Sequence, residues 1–226
     1  IWTPDKFLKW KPTGLSVLTE LVIGLVLAVA FLVPLTTATY DLSVARTMTI
    51  SIGISTILAR DTGIPDGLCM VIALLACMVV GVVNGFLVVK LKIDSFIATL
   101  GMTLLLDALA VYLAKQVVAG AWSDTYLDFG RTRIIFDIPA YVAFVAVVMV
   151  IAWYVLEHTP VGRQMFAVGG NPDAARLAGV ATDRLVWGSL VASALLGGFA
   201  GTLYTWKVGT YENSVGPGYL FPAIAA

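Results

Sequence analysis

Charge is scarce in this sequence. Only 12% of its 226 residues are Asp, Glu, Lys or Arg, and 14 acidic groups cancel 14 basic ones. Soluble chains carry roughly 25% charged residues, so an ordinary water-soluble domain is excluded. With zero net charge and no long basic run, nothing is available to neutralise a phosphate backbone, which argues against a nucleic-acid partner. His158 is the only histidine, and the only two cysteines, Cys69 and Cys77, lie eight positions apart on one predicted helix. That spacing is roughly 12 Å along a helix, beyond disulfide reach, so both thiols are read as packing groups. No Cys/His cluster exists, and no metal site is expected. The phosphate-cradling pattern G-x-x-x-x-G-K-[ST] is also missing, so the chain has no ordinary means of binding ATP itself.

What the sequence has in quantity is apolar length. It is 59% hydrophobic, with a mean hydropathy of +0.93. A spanning helix needs about 20 mostly apolar residues. Stretches at 15–35, 68–89, 93–114, 140–156 and 185–206 meet that need, and 42–59 is a shorter one rich in Ser and Thr. Inside a bilayer every backbone polar group must be satisfied within the segment, which predicts helices and an all-α, polytopic helical bundle. Residues 1–226 are read as one membrane domain. The start at Ile1 without Met and the stop in the apolar run "FPAIAA" lead us to expect that both ends are cut. Trp10, Tyr40, Tyr112, Trp153, Tyr154, Trp187, Tyr204 and Trp206 fall near segment ends and suit an interfacial aromatic belt. Two stripes of small residues, Ala73/Cys77/Gly81/Gly85 and Ser193/Gly197/Gly201, predict close helix contacts, either within the chain or between subunits.

The connections are unequal. "RDTGIPDG" and "KLKID" read as tight turns, 115–137 as a longer polar and aromatic loop, and 157–184 as the longest. The last contains "VGRQMFAVGGNPDAARLAGV", a polar stretch with ordered helix signals. Asn171 is a good N-cap and Pro172 suits the first helical position. Asp173 lies at the positive end, Ala174, Ala175, Arg176, Leu177 and Ala178 are helix formers, and Gly179 can take the left-handed turn that ends a helix. A helix of about seven residues is far below the 12–15 needed to stand alone. It must dock, on another protein's groove or on its own membrane domain.

The run "GRQMFAVGGNPDAARLAGV" closely resembles the cytoplasmic coupling loop of permeases in ribose/xylose-type sugar importers of the ATP-binding-cassette class. Within it "DAARLAG" is similar to the EAA-x-x-x-G element through which importer permeases contact their ATPase. "YDLSVA", "NGFLVVKLKIDSFIATLG" and "GYLFPAIAA" resemble further segments of the same family, in the same order. The chain departs from that pattern with "TTATY" before Asp41, Ser95 where a proline is usual, and Asp107-Ala108 where Arg-Gly is common. The resemblance implies a non-catalytic permease subunit in a bacterial cytoplasmic (inner) membrane, forming the path for a small sugar, a pentose or a hexose. It further implies an ATPase subunit carrying ATP and Mg²⁺, a second permease subunit (identical or not), an extracytoplasmic solute-binding protein and surrounding lipid, with no cofactor on this chain. On this reading Asn171, Pro172, Asp173, Ala174, Ala175 and Gly179 form the coupling helix, Gly169 and Gly170 shape its approach, and Arg163 anchors the loop. Asp41, Ser43, Asn84, Phe96, Thr99 and Asp107 are candidates for the translocation path.

A few charges stand in or near apolar spans, where they are costly and hint at function. Asp107 is read either as lining a wet cavity or as pairing with another helix. Glu20 is close enough to a helix start to reach the interface, and Arg46 is expected to pair locally with Asp41. Asn84 is expected to donate an interhelical hydrogen bond in preference to binding sugar. His158 ends a spanning helix, where a cation is favoured. The family orientation puts 157–184 and "KLKID" in the cytoplasm, with six of the 14 basic residues on that side, a count that does not follow the positive-inside tendency. An ion-coupled carrier using Glu20 and Asp107 is the rival, as are an importer of nucleosides or other small polar solutes and a membrane subunit without flux.

Overall fold

A computed structural model describes residues 10–113, 118–133 and 139–219, with side chains from residue 21 onward. The side chain of Glu20 and the segment 220–226 therefore lie outside the described residues. The helices are α1 (Trp10–Leu35), α2 (Val44–Asp61), α3 (Asp66–Gly85), α4 (Ser95–Leu113), α5 (Asp124–Arg131), α6 (Ala140–His158), α7 (Pro160–Gly170), α8 (Pro172–Leu177) and α9 (Thr182–Lys207). A π-helical turn at Phe86–Lys90 extends α3, and two short strands, β1 (Val118–Ala119) and β2 (Thr210–Tyr211), pair antiparallel. Among the described residues, four helices are long and apolar enough to cross a membrane: α3 with its π-helical extension, α4, α6 and α9.

The axis of the bundle is α9, which packs on α1, α2 and α3. Lipid tails are as apolar as leucine, so close backbone approach must replace hydrophobic drive between spanning helices. The small-residue stripes provide it within the chain. A Cβ on Gly81 would lie 2.7 Å from the Cα of Val191, and one on Gly201 would lie 2.8 Å from the carbonyl oxygen of Met48. Both thiols are buried and free, Cys77 lying against Gly198 across the α3–α9 contact.

Helix α2 is short and hydroxyl-rich because other helices, not lipid, surround it. Twelve of its 18 residues are buried. Thr47, Thr49 and Ser55 return their hydroxyl protons to carbonyls one turn back, at 2.9, 3.2 and 2.7 Å. Ser51 donates across to the carbonyl of Gly198 at 2.8 Å. Such bonds silence each hydroxyl locally, and an interhelical one contributes about 0.6 kcal/mol.

Two expectations change here. The stretch 115–137 is not simply a polar loop, since β1 and α5 form within it. Ser123 caps α5 by accepting from the Tyr126 amide, and itself donates through its amide to Asp66 at 3.1 Å. Trp122 stacks on Tyr126 with ring centroids 4.7 Å apart, and the Tyr126 hydroxyl meets Thr205 at 2.9 Å. Burial pushes the Tyr126 phenol above its ordinary pKa. Trp206, assigned to the interfacial belt, is instead only 7% exposed, packed among Tyr126, Phe129 and Phe144. The folding of α5 over the end of α9 covers it. Tyr40, Tyr112, Trp153 and Tyr154 do remain exposed.

Candidate coupling helix and buried polar junction

The polar stretch after α6 is two helices. Thr159 caps α7 by accepting from the Gly162 amide at 3.3 Å, with Pro160 in the first turn. Met165 and Val168 are buried on α7, and Met165 joins Val29, Val33 and Leu156 in one apolar cluster. The buried side of α7 follows a helical period of three to four residues, which "polar loop" does not convey. At its end Gly169 presses on the α1 exit. A Cβ there would stand 2.3 Å from the carbonyl oxygen of Thr36, whereas Gly170 faces open space. Arg163 is exposed on the outer face of α7.

Helix α8 has only six residues and is closed at both ends. The Asn171 carboxamide oxygen accepts from the amides of Asp173 and Ala174 at 3.1 and 3.0 Å. Gly179 takes a φ of +84°, which lets its amide reach Arg176 and the Val180 amide reach Ala175, both at 3.0 Å. That left-handed residue favours glycine because it has no Cβ to clash. Ala175 is buried, while Pro172, Asp173 and Ala174 are exposed and Leu177 is 91% exposed. A loose ionic chain ties α8 to its neighbours: Arg176 lies 3.9 Å from Asp173 and 3.8 Å from Asp183, and Lys92 lies 3.9 Å from Asp183. All four are solvent-exposed, so each pair contributes between nothing and about 1 kcal/mol. The "KLKID" turn and α8 thus occupy the same end of the bundle, opposite β1, β2 and α5.

Four of the candidate path residues meet just inside that end. Asp41 is fully buried, and its Oδ1 accepts from the Ser43 amide and hydroxyl at 3.0 and 2.6 Å. The Asn84 amide nitrogen donates to the Ser43 hydroxyl at 2.9 Å. Thr99 accepts from the Leu42 amide at 3.2 Å and donates to the Tyr40 carbonyl at 3.2 Å. Two residues the sequence did not mark out for the path join them: Ser95, which accepts from the Tyr40 amide at 3.0 Å, and Ser193 of α9, which adjoins the Asp41 carboxyl. The signal for Ser193 was a hydroxyl within a small-residue stripe. Phe96 is half-exposed at the rim, edge-on to Tyr40.

Asp107 stands apart. Arg46 pairs with it at 2.7 Å and also donates to the carbonyl and side-chain oxygens of Asn213, at 2.9 and 3.1 Å. The expected Arg46–Asp41 pair does not form, because Asp41 turns back onto Ser43 at the start of α2 while Arg46 points to α4. A crevice of about 580 Å³ opens between α1, α6, α7 and α9. Its walls are aliphatic apart from Arg184 and Ser189, which suits an apolar neighbour and not a polyhydroxylated solute.

Apolar spans around a hydroxyl-rich α2, and a capped helix outside them, define a polytopic helical membrane protein. The model of the family described as the branched-chain amino acid transport system / permease component matches residues 14–226, and the chain belongs to that family. It is 29% identical over 215 residues to a ribose import permease protein of Haemophilus influenzae, covering 94% of this chain and 66% of the relative. It is 30% identical over 211 residues to a fructose import permease protein of Bifidobacterium longum, covering 89% and 62%. With a ribose import permease protein of Escherichia coli the figures are 31% over 217 residues, 93% and 66%. The chain thus spans at most 66% of the length of these relatives. No solved structure matches it.

Proposed function

We propose that the chain is the translocating part of a permease for an ATP-driven importer of small sugars, without catalytic chemistry of its own. The observation that carries this reading is α8: a six-residue helix, capped by Asn171 and ended by Gly179, that stands outside the spans with Leu177 almost wholly exposed. A helix so short gains its order from what it contacts. Its exposed face suits the groove of a separate ATPase that would hold ATP and Mg²⁺. The names of the relatives support a monosaccharide as cargo, delivered by an extracytoplasmic binding protein.

The coupling follows from the connections. Closure of an ATPase pair would displace α8. Gly169 passes that displacement to the Thr36 turn, and the short link after Gly179 passes it to α9. Both lead to the Asp41–Ser43–Asn84 junction, where Thr37 also meets Ser189 at 3.3 Å. Binding energy at α8 thereby biases helix packing at the path, a coupling between two sites through an element with two arrangements. The ion-coupled rival is disfavoured by the pairing of Arg46 with Asp107, which occupies the carboxylate that would have to release protons.

The test is co-purification of the full permease with its ATPase from detergent, comparing the intact chain with Asp173→Lys and Gly179→Trp. Intact chain retaining the ATPase while folded variants lose it supports the reading. Intact chain that binds no ATPase sinks it.

A further inference from the structure

The crevice between α1, α6, α7 and α9 has a length, a lining and a single charge that together describe an occupant. On α9 its wall runs from Arg184 to Leu196, and on α6 from Val148 to Leu156. Twelve helical steps of 1.5 Å make the α9 wall about 18 Å long. The hydrocarbon of a bilayer is about 30 Å thick, so one leaflet is about 15 Å. The crevice therefore reaches from one membrane surface to about the midplane. A spanning helix would need a groove through both leaflets, whereas an acyl chain needs one.

Gly188 keeps the bore open. A Cβ there would meet nothing within 4 Å, one turn inward from Arg184. Ile151 and Val155 of α6 and Ala192 and Leu195 of α9 add aliphatic wall. The Ser189 hydroxyl is already engaged, donating to the Val186 carbonyl at 2.8 Å and meeting Thr37 at 3.3 Å. Water finds too few polar partners along such walls, and hydrocarbon fits them. Trp153 and Tyr154, exposed near the end of α6, mark the interfacial level at the mouth.

The charge at that mouth is unmatched. Arg184 is exposed, and its side chain forms no ion pair or hydrogen bond among the described residues. Its neighbour Asp183 faces Arg176 and Lys92 instead, at 3.8 and 3.9 Å. No carboxylate lines the crevice among the described residues. A guanidinium presents paired donors that match phosphate oxygens, and basic pockets between spanning helices hold anionic headgroups. A zwitterionic headgroup would bring an ammonium that no carboxylate of the crevice meets. We propose that this crevice binds one anionic phospholipid, with an acyl chain lying between α6 and α9 and its phosphate on the Arg184 guanidinium. The site lies in the leaflet at the α8 end and is independent of which solute is carried.

The test is native mass spectrometry of the full-length permease, titrated in detergent with phosphatidylglycerol or with phosphatidylcholine of the same chains. One phosphatidylglycerol per permease chain should bind about fivefold more tightly than phosphatidylcholine, the worth of one basic residue at a membrane surface. Arg184→Gln should erase that preference by weakening phosphatidylglycerol alone. Gly188→Leu fills the open space and should weaken both lipids at least tenfold. Lys90→Gln removes another exposed charge at the same end and should change neither. Because Arg184 is exposed, Arg184→Gln keeps the test decisive if Gly188→Leu does not fold. Equal affinity for the two lipids overturns the proposal, as does a loss in Lys90→Gln matching that in Arg184→Gln. So does unchanged affinity in folded Arg184→Gln or Gly188→Leu, the latter meaning that another protein segment or a second subunit covers the crevice.

Discussion

Adding a single methyl group at Gly81 tests whether close backbone approach holds the bundle together. A Cβ there would lie 2.7 Å from Val191 Cα, 2.9 Å from Leu190 O and 2.9 Å from Ala194 Cβ. None of these atoms can swing away by rotating a side chain. Ordinary carbon contacts lie near 3.5–4.0 Å, so α3 and α9 must separate locally by about 1 Å. Overpacking of this kind costs about 1–3 kcal/mol. In a chain of this size that is roughly 3–9 °C of Tm. The control is Gly101→Ala on α4, where a Cβ meets nothing within 4 Å. There the higher helix propensity of alanine applies alone and should leave Tm unchanged or raise it slightly. Both variants are measured by thermal unfolding in the same detergent. If Gly81→Ala unfolds at or above the temperature of the parent chain, the α3–α9 contact is not limited by glycine and the reasoning fails.

Other outcomes follow from individual contacts. Asn171→Ala should weaken the α8 cap by about 0.5–2 kcal/mol, seen as faster hydrogen exchange at the Asp173 and Ala174 amides, and Asn171→Asp should largely preserve protection. Leu177→Ser should leave Tm within error and yet reduce ATPase retention, since Leu177 is 91% exposed; retained binding would remove Leu177 from the contact. Asp107→Leu should destabilise more than Arg46→Met in chemical denaturation, because it strands the arginine, whose side chain is 16% exposed, whereas the aspartate is 42% exposed. The raised Tyr126 pKa means that burial favours the neutral phenol. Its contribution is complete below the ordinary tyrosine value of about 10 and declines as pH climbs past it. Tyr126→Phe should therefore flatten the loss of stability with alkaline pH without removing the Trp122 stack.

Sequence alone was enough for whatever depends on local backbone chemistry or on the mean environment of a segment. Apolar length predicted spanning helices, and α3, α4, α6 and α9 are such helices. The cap and terminator of α8 were readable because Asn171 bonds amides two and three residues on, and Gly179 needs only its own φ. Small-residue spacing marked the faces along which helices would meet. Tertiary structure alone decided what those faces and charges meet. Arg46 reached past Asp41 to Asp107, a partner 61 positions away, because ion pairing depends on which helices lie side by side. Trp206 went inward because α5 folds over it, and the amphipathic period of α7 was hidden by its glycines. The buried oxygens of Asp41, Asn84 and Ser193 that no hydrogen bond reaches among the described residues come from three separate segments. A polar atom lacks a partner only relative to everything packed around it, and that is a property of the assembled bundle.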